Sequence, residues 1–177
     1  MKKIILTAAA MLVFVFSNAQ DMKKSSGGGQ TAKGKWLIEA NTGNAMIGST
    51  GFSLASFDGE SEYNIGLDGG YFIADDFALK AGLGYGGESE FDSSVFSYRL
   101  GAKYYVESMI PVTLDLTGAS IKDASENPMW LGIGAGYAIF LGENVSLEPG
   151  LRYNLSLNED FTDKGVFQLN IGFALHF

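Results

Sequence analysis

From Trp36 to Phe177 apolar residues recur at every second position in one segment after another, and no other feature constrains the fold as tightly. A period of two marks a strand with one apolar face, whereas a helix repeats every 3.6 residues. The last segment shows it most fully. Phe167, Leu169, Ile171, Phe173, Leu175 and Phe177 share one face, and Gln168, Asn170, Gly172, Ala174 and His176 share the other. Residues 63–73, 77–86, 96–106 and 131–139 alternate in the same way, and 35–44, 110–118 and 145–155 do so less cleanly. Pro149 falls on the apolar face of the last of these and predicts a bulge or a shifted boundary, because proline donates nothing to a ladder. The expectation is an all-β fold of eight antiparallel strands; an even number returns both chain ends to one side, as a closed up-and-down barrel requires.

The segments before Trp36 read differently. Met1-Lys2-Lys3 is basic, residues 4–16 are apolar apart from Thr7, and Ser17-Asn18-Ala19 carries the small residues of a cleavage site, so residues 1–19 read as a secretory signal peptide cut near Ala19. The run is too short for a spanning helix, which needs about 20 apolar residues. Residues 20–35, with Ser25-Ser26-Gly27-Gly28-Gly29, have the composition of a flexible linker, leaving 36–177 for the barrel.

The connections alternate in length. Residues 74–76, 107–109 and 142–144 are tight turns, and 45–60, 87–94, 119–128 and 156–164 are longer loops. Short turns at one end and long loops at the other is the arrangement of a transmembrane barrel whose short turns and termini face the periplasm. A soluble barrel would turn its apolar face inward around a greasy ligand, and a membrane barrel turns it outward. The polar face decides for the membrane. It carries Glu39, Asp68, Lys80, Arg99, Lys103, Asp115, Glu148 and Arg152, four acids and four bases, among many of the chain's 24 glycines. Glycine weakens a solvent-facing strand but makes room for long side chains inside a narrow barrel, where opposite charges neutralise one another. Aromatics gather near the strand ends: Tyr63, Tyr85, Tyr153 and Phe167 toward the loops, and Trp36, Tyr71, Phe77, Tyr104 and Phe177 toward the turns, as two interfacial girdles.

These features, with the Gly134-Ala135-Gly136-Tyr137 rhythm and the ending Phe173-Ala174-Leu175-His176-Phe177, resemble the small outer-membrane barrels of the OmpX and OmpA-transmembrane-domain type. The resemblance spans about residues 36–177 and implies an eight-stranded transmembrane barrel surrounded by outer-membrane lipid and lipopolysaccharide. It also implies that Phe173, Leu175 and Phe177 form the signal read by the barrel assembly machinery. It leaves function open among envelope-structural, adhesive, lipid-modifying and complex-accessory roles, the last with a protein partner in the envelope.

Composition and motifs narrow the choice. A net charge of −8 argues against nucleic acid, which is held by clustered Lys and Arg. The absence of cysteine removes disulfides, thiolate metal sites and Cys nucleophiles. His176, the single histidine, lies at the expected periplasmic end, and no hydrolase, zinc-protease or phosphate-loop motif occurs. No enzyme, cofactor or resident metal is expected. The eight interior charges read as a plug, because an eight-stranded interior is only wide enough for side chains to fill. The long loops hold Asp58, Glu60, Glu62, Glu88, Glu90, Asp92, Asp123, Glu126, Glu159, Asp160 and Asp163 against Lys122 and Lys164. Glu88, Glu90 and Asp92 alternate as calcium ligands do but lack the glycine and distal glutamate of a calcium loop, so these loops read as a solvated acidic surface. The resulting expectation is a non-enzymatic outer-membrane barrel with a closed interior, working through acidic outer loops. The alternatives are a soluble exported barrel with an apolar ligand and, less favoured, a lipid-modifying enzyme.

Overall fold

The computed structural model describes residues 29–44, 47, 49–57, 60–88 and 93–177; the expected signal peptide, residues 20–28, Asp58, Glu90 and Asp92 lie outside them. The strands are β1 (Trp36–Asn41), β2 (Ser53–Phe57), β3 (Glu60–Ala74), β4 (Phe77–Glu88), β5 (Ser93–Val106), β6 (Ile110–Ile121), β7 (Met129–Gly136), β8 (Ile139–Phe140), β9 (Val145–Ser156) and β10 (Val166–His176). The strands pair antiparallel, with one isolated parallel bridge between Asn41 and Gly51, and β1 bridges β10 on one side and β3 on the other, which closes the sheet on itself. Eight strands form the wall. β2 lies on β3 toward the long-loop end, here the upper end, and β8 continues β7 after a break.

The alternation sets the two faces. Leu67, Leu83, Leu100, Leu151 and Leu169 point outward and are exposed, while their polar neighbours in sequence point into the barrel. Among the described residues, 17 polar or charged residues are buried against 11 apolar ones. That is the reverse of a soluble core, and it contradicts the ligand-binding barrel with its apolar face inward. The outer aromatics pair as expected for girdles: Trp36 and Tyr71 at a centroid distance of 5.0 Å below, Tyr63 and Tyr85 at 6.4 Å above. Phe77 departs from this, being buried beside Tyr104.

Several expected boundaries move. The upper ends of β3 to β6 run further than the hydrophobic alternation, because Glu60-Ser61-Glu62 and Gly86-Gly87-Glu88 carry no apolar face yet continue the ladder, with Glu62 opposite Glu88. Glu60, Glu62 and Glu88 thus belong to strands rather than loops. The irregularity expected at Pro149 falls on its neighbour instead: the β7 ladder with β9 is interrupted after Gly136 and resumes in the same register at Ile139 opposite Leu147, with Tyr137 N–H donating to the Pro149 carbonyl at 3.0 Å between them. The turn at 107–109 is tight, with Glu107 and Ser108 both at positive φ (53° and 58°) and Met109 N–H bonded to the Val106 carbonyl at 3.1 Å, a twist that suits a hairpin.

Residues 29–35 differ from the linker expectation. Thr31 is buried and bonds Asp76 through its hydroxyl, Lys33 N–H donates to Asp75 Oδ1 at 2.9 Å, and Gly34 N–H donates to the Phe72 carbonyl at 2.8 Å. The segment is held at the short-turn end by backbone bonds together with the carboxylates of Asp75 and Asp76, which composition does not encode.

Candidate functional site

The lumen is filled in three layers. The middle layer follows from register. Lys80, Gly101, Asp115 and Gly132 are successive partners across β4, β5, β6 and β7, and Asp68, Gly82 and Arg99 across β3, β4 and β5. Each carboxylate or cation therefore lies beside a glycine on the neighbouring strand, over which a side chain can lie flat; a Cβ at Gly101 would strike Asp115, and one at Gly132 would strike Arg152. All eight of Glu39, Asp68, Lys80, Arg99, Lys103, Asp115, Glu148 and Arg152 are buried. Six form one chain of ion pairs, Glu148 to Lys103 to Glu39 to Lys80 to Asp68 to Arg99, with Lys80–Asp68 at 3.2 Å and Arg99–Asp68 at 2.7 Å. Arg152 and Asp115 pair separately. Charges removed from water need such partners, and equal numbers of each sign leave no net charge to solvate. Between them is a cleft of about 50 Å³, bordered by Arg99, Arg152, Asp115, Lys103 and Glu39, which has room for water molecules.

The upper layer is backbone. After Asn41 the chain leaves the wall and enters the barrel, where Thr50 is fully buried and donates its hydroxyl to Asp68. Ser97 Oγ donates to the Ser49 carbonyl at 3.1 Å. Gly66 makes the entry feasible, since a Cβ there would sit 2.5 Å from the Thr50 carbonyl carbon.

The lower layer is apolar. Leu37, Phe72, Ala78, Tyr105, Ala138 and Ala174 form a buried cluster, and Phe140, which keeps the inward parity of Ala138, packs against it. His176 lies among the rings of Phe72, Tyr105 and Phe140 at 5.7–6.2 Å. Its Nε2 is 3.0 Å from Ser146 Oγ, and that hydroxyl and Tyr105 Oη both reach Glu148 Oε1, at 2.8 and 2.7 Å. Sequence reasoning missed this cluster, because Ser146 and His176 alternate as ordinary inward residues; the legible signal was two inward aromatics, Phe72 and Tyr105, on otherwise polar faces. Beneath it, Gln30, Thr31, Met109, Phe140 and Asn144 border a hollow of about 710 Å³ at the short-turn mouth.

The remaining candidates are spread over the surface. Phe173 and Phe177 are exposed on the outer face of the lower end of β10, with Leu175 partly covered between them. Phe177 and Trp36 exchange backbone bonds at 2.9 and 3.0 Å. Asp123, Glu126, Glu159, Asp160 and Asp163 are exposed on the loops, two of which are tied together where Asn158 Nδ2 donates to the Asn127 carbonyl at 2.9 Å. Among the described residues no three His, Asp or Glu side chains gather as metal ligands.

No family model and no curated protein matches the sequence. Solved structures do. The N-terminal β-barrel domain of Pseudomonas aeruginosa OprF superposes with a TM-score of 0.51 at 20% identity, over 82% of this chain and 98% of that one. The fold is that of the small eight-stranded outer-membrane barrels. The Yersinia pestis outer membrane protein Ail, determined in a phospholipid bilayer nanodisc, gives 0.48 at 14% identity over 82% of this chain and 100% of that one. Neisserial surface protein A gives 0.46 at 18% identity over 81% and 96%. In an outer-membrane barrel of this size the wall is a scaffold, and what distinguishes one from another lies in the lumen filling and the loops.

Proposed function

We propose that this chain is a non-conducting, non-enzymatic outer-membrane barrel that acts through its acidic outer loops in an envelope-structural, adhesive or partner-docking role. The observation that carries this reading is the triple closure of the lumen: backbone above, paired charges between, aromatic rings below. The outward apolar face fits a surround of outer-membrane lipid and lipopolysaccharide, with both termini periplasmic after cleavage near Ala19. Phe173, Leu175 and Phe177 face outward at the end of the last strand, in position to be read by the barrel assembly machinery. The Ser146–His176 pair has the spacing of a nucleophile and its base, but both residues are fully buried under Phe140, and the Ser146 hydroxyl is already within bonding distance of Glu148. A hydrolytic pair needs a substrate within about 3 Å, and no such approach is open there.

Planar-bilayer recordings of the refolded protein test the closure. The expected result is no steady conductance. A reproducible current whose selectivity changes with Arg99→Ala or Asp115→Ala would overturn it, and recovery of the protein from the periplasm without detergent would overturn the membrane placement.

A further inference from the structure

The chain of ion pairs in the lumen ends differently at its two extremities. It runs from Glu148, beside the lower layer, to Arg99 in the upper half, so an acid terminates it below and a base above. The acid is capped by two hydroxyls: Tyr105 Oη donates to Glu148 Oε1 at 2.7 Å, and Ser146 Oγ donates to it at 2.8 Å. The base has no such cap. Arg99 shares its ion-pair partner Asp68 with Lys80, and its Nε–H has no hydrogen-bond partner among the described residues.

Other buried atoms in the same condition adjoin it. Arg99, Thr117 and Trp130 are successive cross-strand partners on β5, β6 and β7, and Asp115 and Gly132 are partners two residues below on the same inward face. Arg152 reaches this stretch from β9 by lying over Gly132, where a Cβ would strike its guanidinium. Its Nε donates to Asn154 Oδ1 at 2.8 Å and its Nη1 to Asp115, while Nη2 has no partner. Thr117 Oγ1, Trp130 Nε1 and Asp115 Oδ1 are also unpartnered, so five of the eight such side-chain atoms among the described residues fall on this one part of the wall. Each of the five residues is at most 6% exposed. The cleft of about 50 Å³ lies between the Arg99 and Arg152 side chains.

Donors exceed acceptors here. Arg99, Arg152 and Trp130 offer N–H groups alone, Asp115 Oδ1 only accepts, and the Thr117 hydroxyl can do either. Two guanidinium charges stand against the one carboxylate of Asp115, since Asp68 also serves Lys80. A buried donor left without an acceptor is costly, and more so when it is charged.

We propose that the cleft binds one small anion of halide size between the Arg99 and Arg152 guanidinium groups. The ion accepts from Arg99 Nε–H and Arg152 Nη2–H, and it caps the positive end of the ion-pair chain as the two hydroxyls cap the negative end. Asp115 Oδ1 is the one unpartnered atom here that repels it, and a water molecule beside the ion gives that oxygen a hydrogen. The volume suits particles near the size of water and excludes a lipid headgroup. The site is internal, so it is independent of the role of the outer loops.

The full chain, refolded in detergent and crystallised with sodium bromide as the sole halide, tests this by anomalous scattering from bromine. The expected result is a peak within hydrogen-bonding reach of Arg99 Nε and Arg152 Nη2. Ordered water there without a peak, or bromide on the outer surface alone, would overturn the proposal. Unfolding in solution reads the same site, because a ligand that binds only the folded barrel raises its stability. The urea midpoint is expected to rise in sodium bromide relative to sodium gluconate at equal ionic strength. Arg152→Lys, which keeps a cation for Asp115 but lacks the Nη2 donor, is expected to lose that rise. Equal midpoints in the two salts, or a rise that folded Arg152→Lys retains in full, would also overturn it. The diffraction and the wild-type salt comparison decide the matter even if Arg152→Lys does not fold.

Discussion

Leu100 and Gly101 are adjacent on β5 and face opposite media. Leu100 is exposed on the outer face, and Gly101 lies beneath Asp115, with Asp115 Cα 2.9 Å from where its Cβ would be. The parity of the eight lumen charges was legible for this reason: a slip of one position would place Arg99 and Asp68 in lipid. A cation in place of Leu100 reverses that arrangement at one site. Leu100→Arg is expected to cost about 2 to 4 kcal/mol near the midplane, whereas Thr113→Ser, an inward change, is expected to cost under about 1 kcal/mol. Reversible urea unfolding in lipid measures both. The inward glycines are not neutral positions either. Gly101→Ser must displace the Leu114 carbonyl, 2.6 Å away, and is expected to lose about 1 to 3 kcal/mol by overpacking.

β1 and β2 show where alternation stops being informative. The expected strand over 35–44 ends at Asn41, because the polar run that follows gains more from the lumen than from the wall: Thr50 reaches Asp68, and Ser97 reaches Ser49. Nothing in a period of two encodes such an excursion. A trace was nonetheless present in Gly66 and Gly84, inward glycines with no charged residue opposite: the Thr50 backbone takes the space at Gly66, and the Ser97 hydroxyl that holds Ser49 takes the space at Gly84. The long ladders of β3 and β4 were half legible for a related reason, since pairing outlasts the apolar face that announces it. Gly66→Val is expected to expel residues 49–51 while the barrel still closes through β1. The expected readout is new proteolytic cleavage within 42–57, with a stability loss of about 1 to 3 kcal/mol in unfolding experiments. Unchanged protease resistance would mean that the segment does not occupy the lumen.

At the scale of the whole molecule the wall closes where β1 joins β10, and the proposed assembly signal on that final strand can be tested there. Phe177→Asp places a charge on the outer face beside Trp36 and is expected to reduce the yield of heat-modifiable barrel; unchanged yield would remove Phe177 from the assembly signal. The mutual backbone bonds of Trp36 and Phe177 carry a further consequence, for the order of folding. The other wall pairings join strands that follow one another along the chain or are separated by one short strand, as in β1–β3 and β7–β9, while β1–β10 joins residues about 141 positions apart at its end, at a loop-closure entropy of about 4 kcal/mol against about 2 for a ten-residue loop. Hairpins can therefore form in any sequence as the chain emerges, but circular closure waits for both extremities, and it sets the slowest step of the reaction. Until it occurs the intermediate is an open, curled sheet with two exposed borders, which is the state in which a chain of this kind is most exposed to aggregation and most in need of an escort.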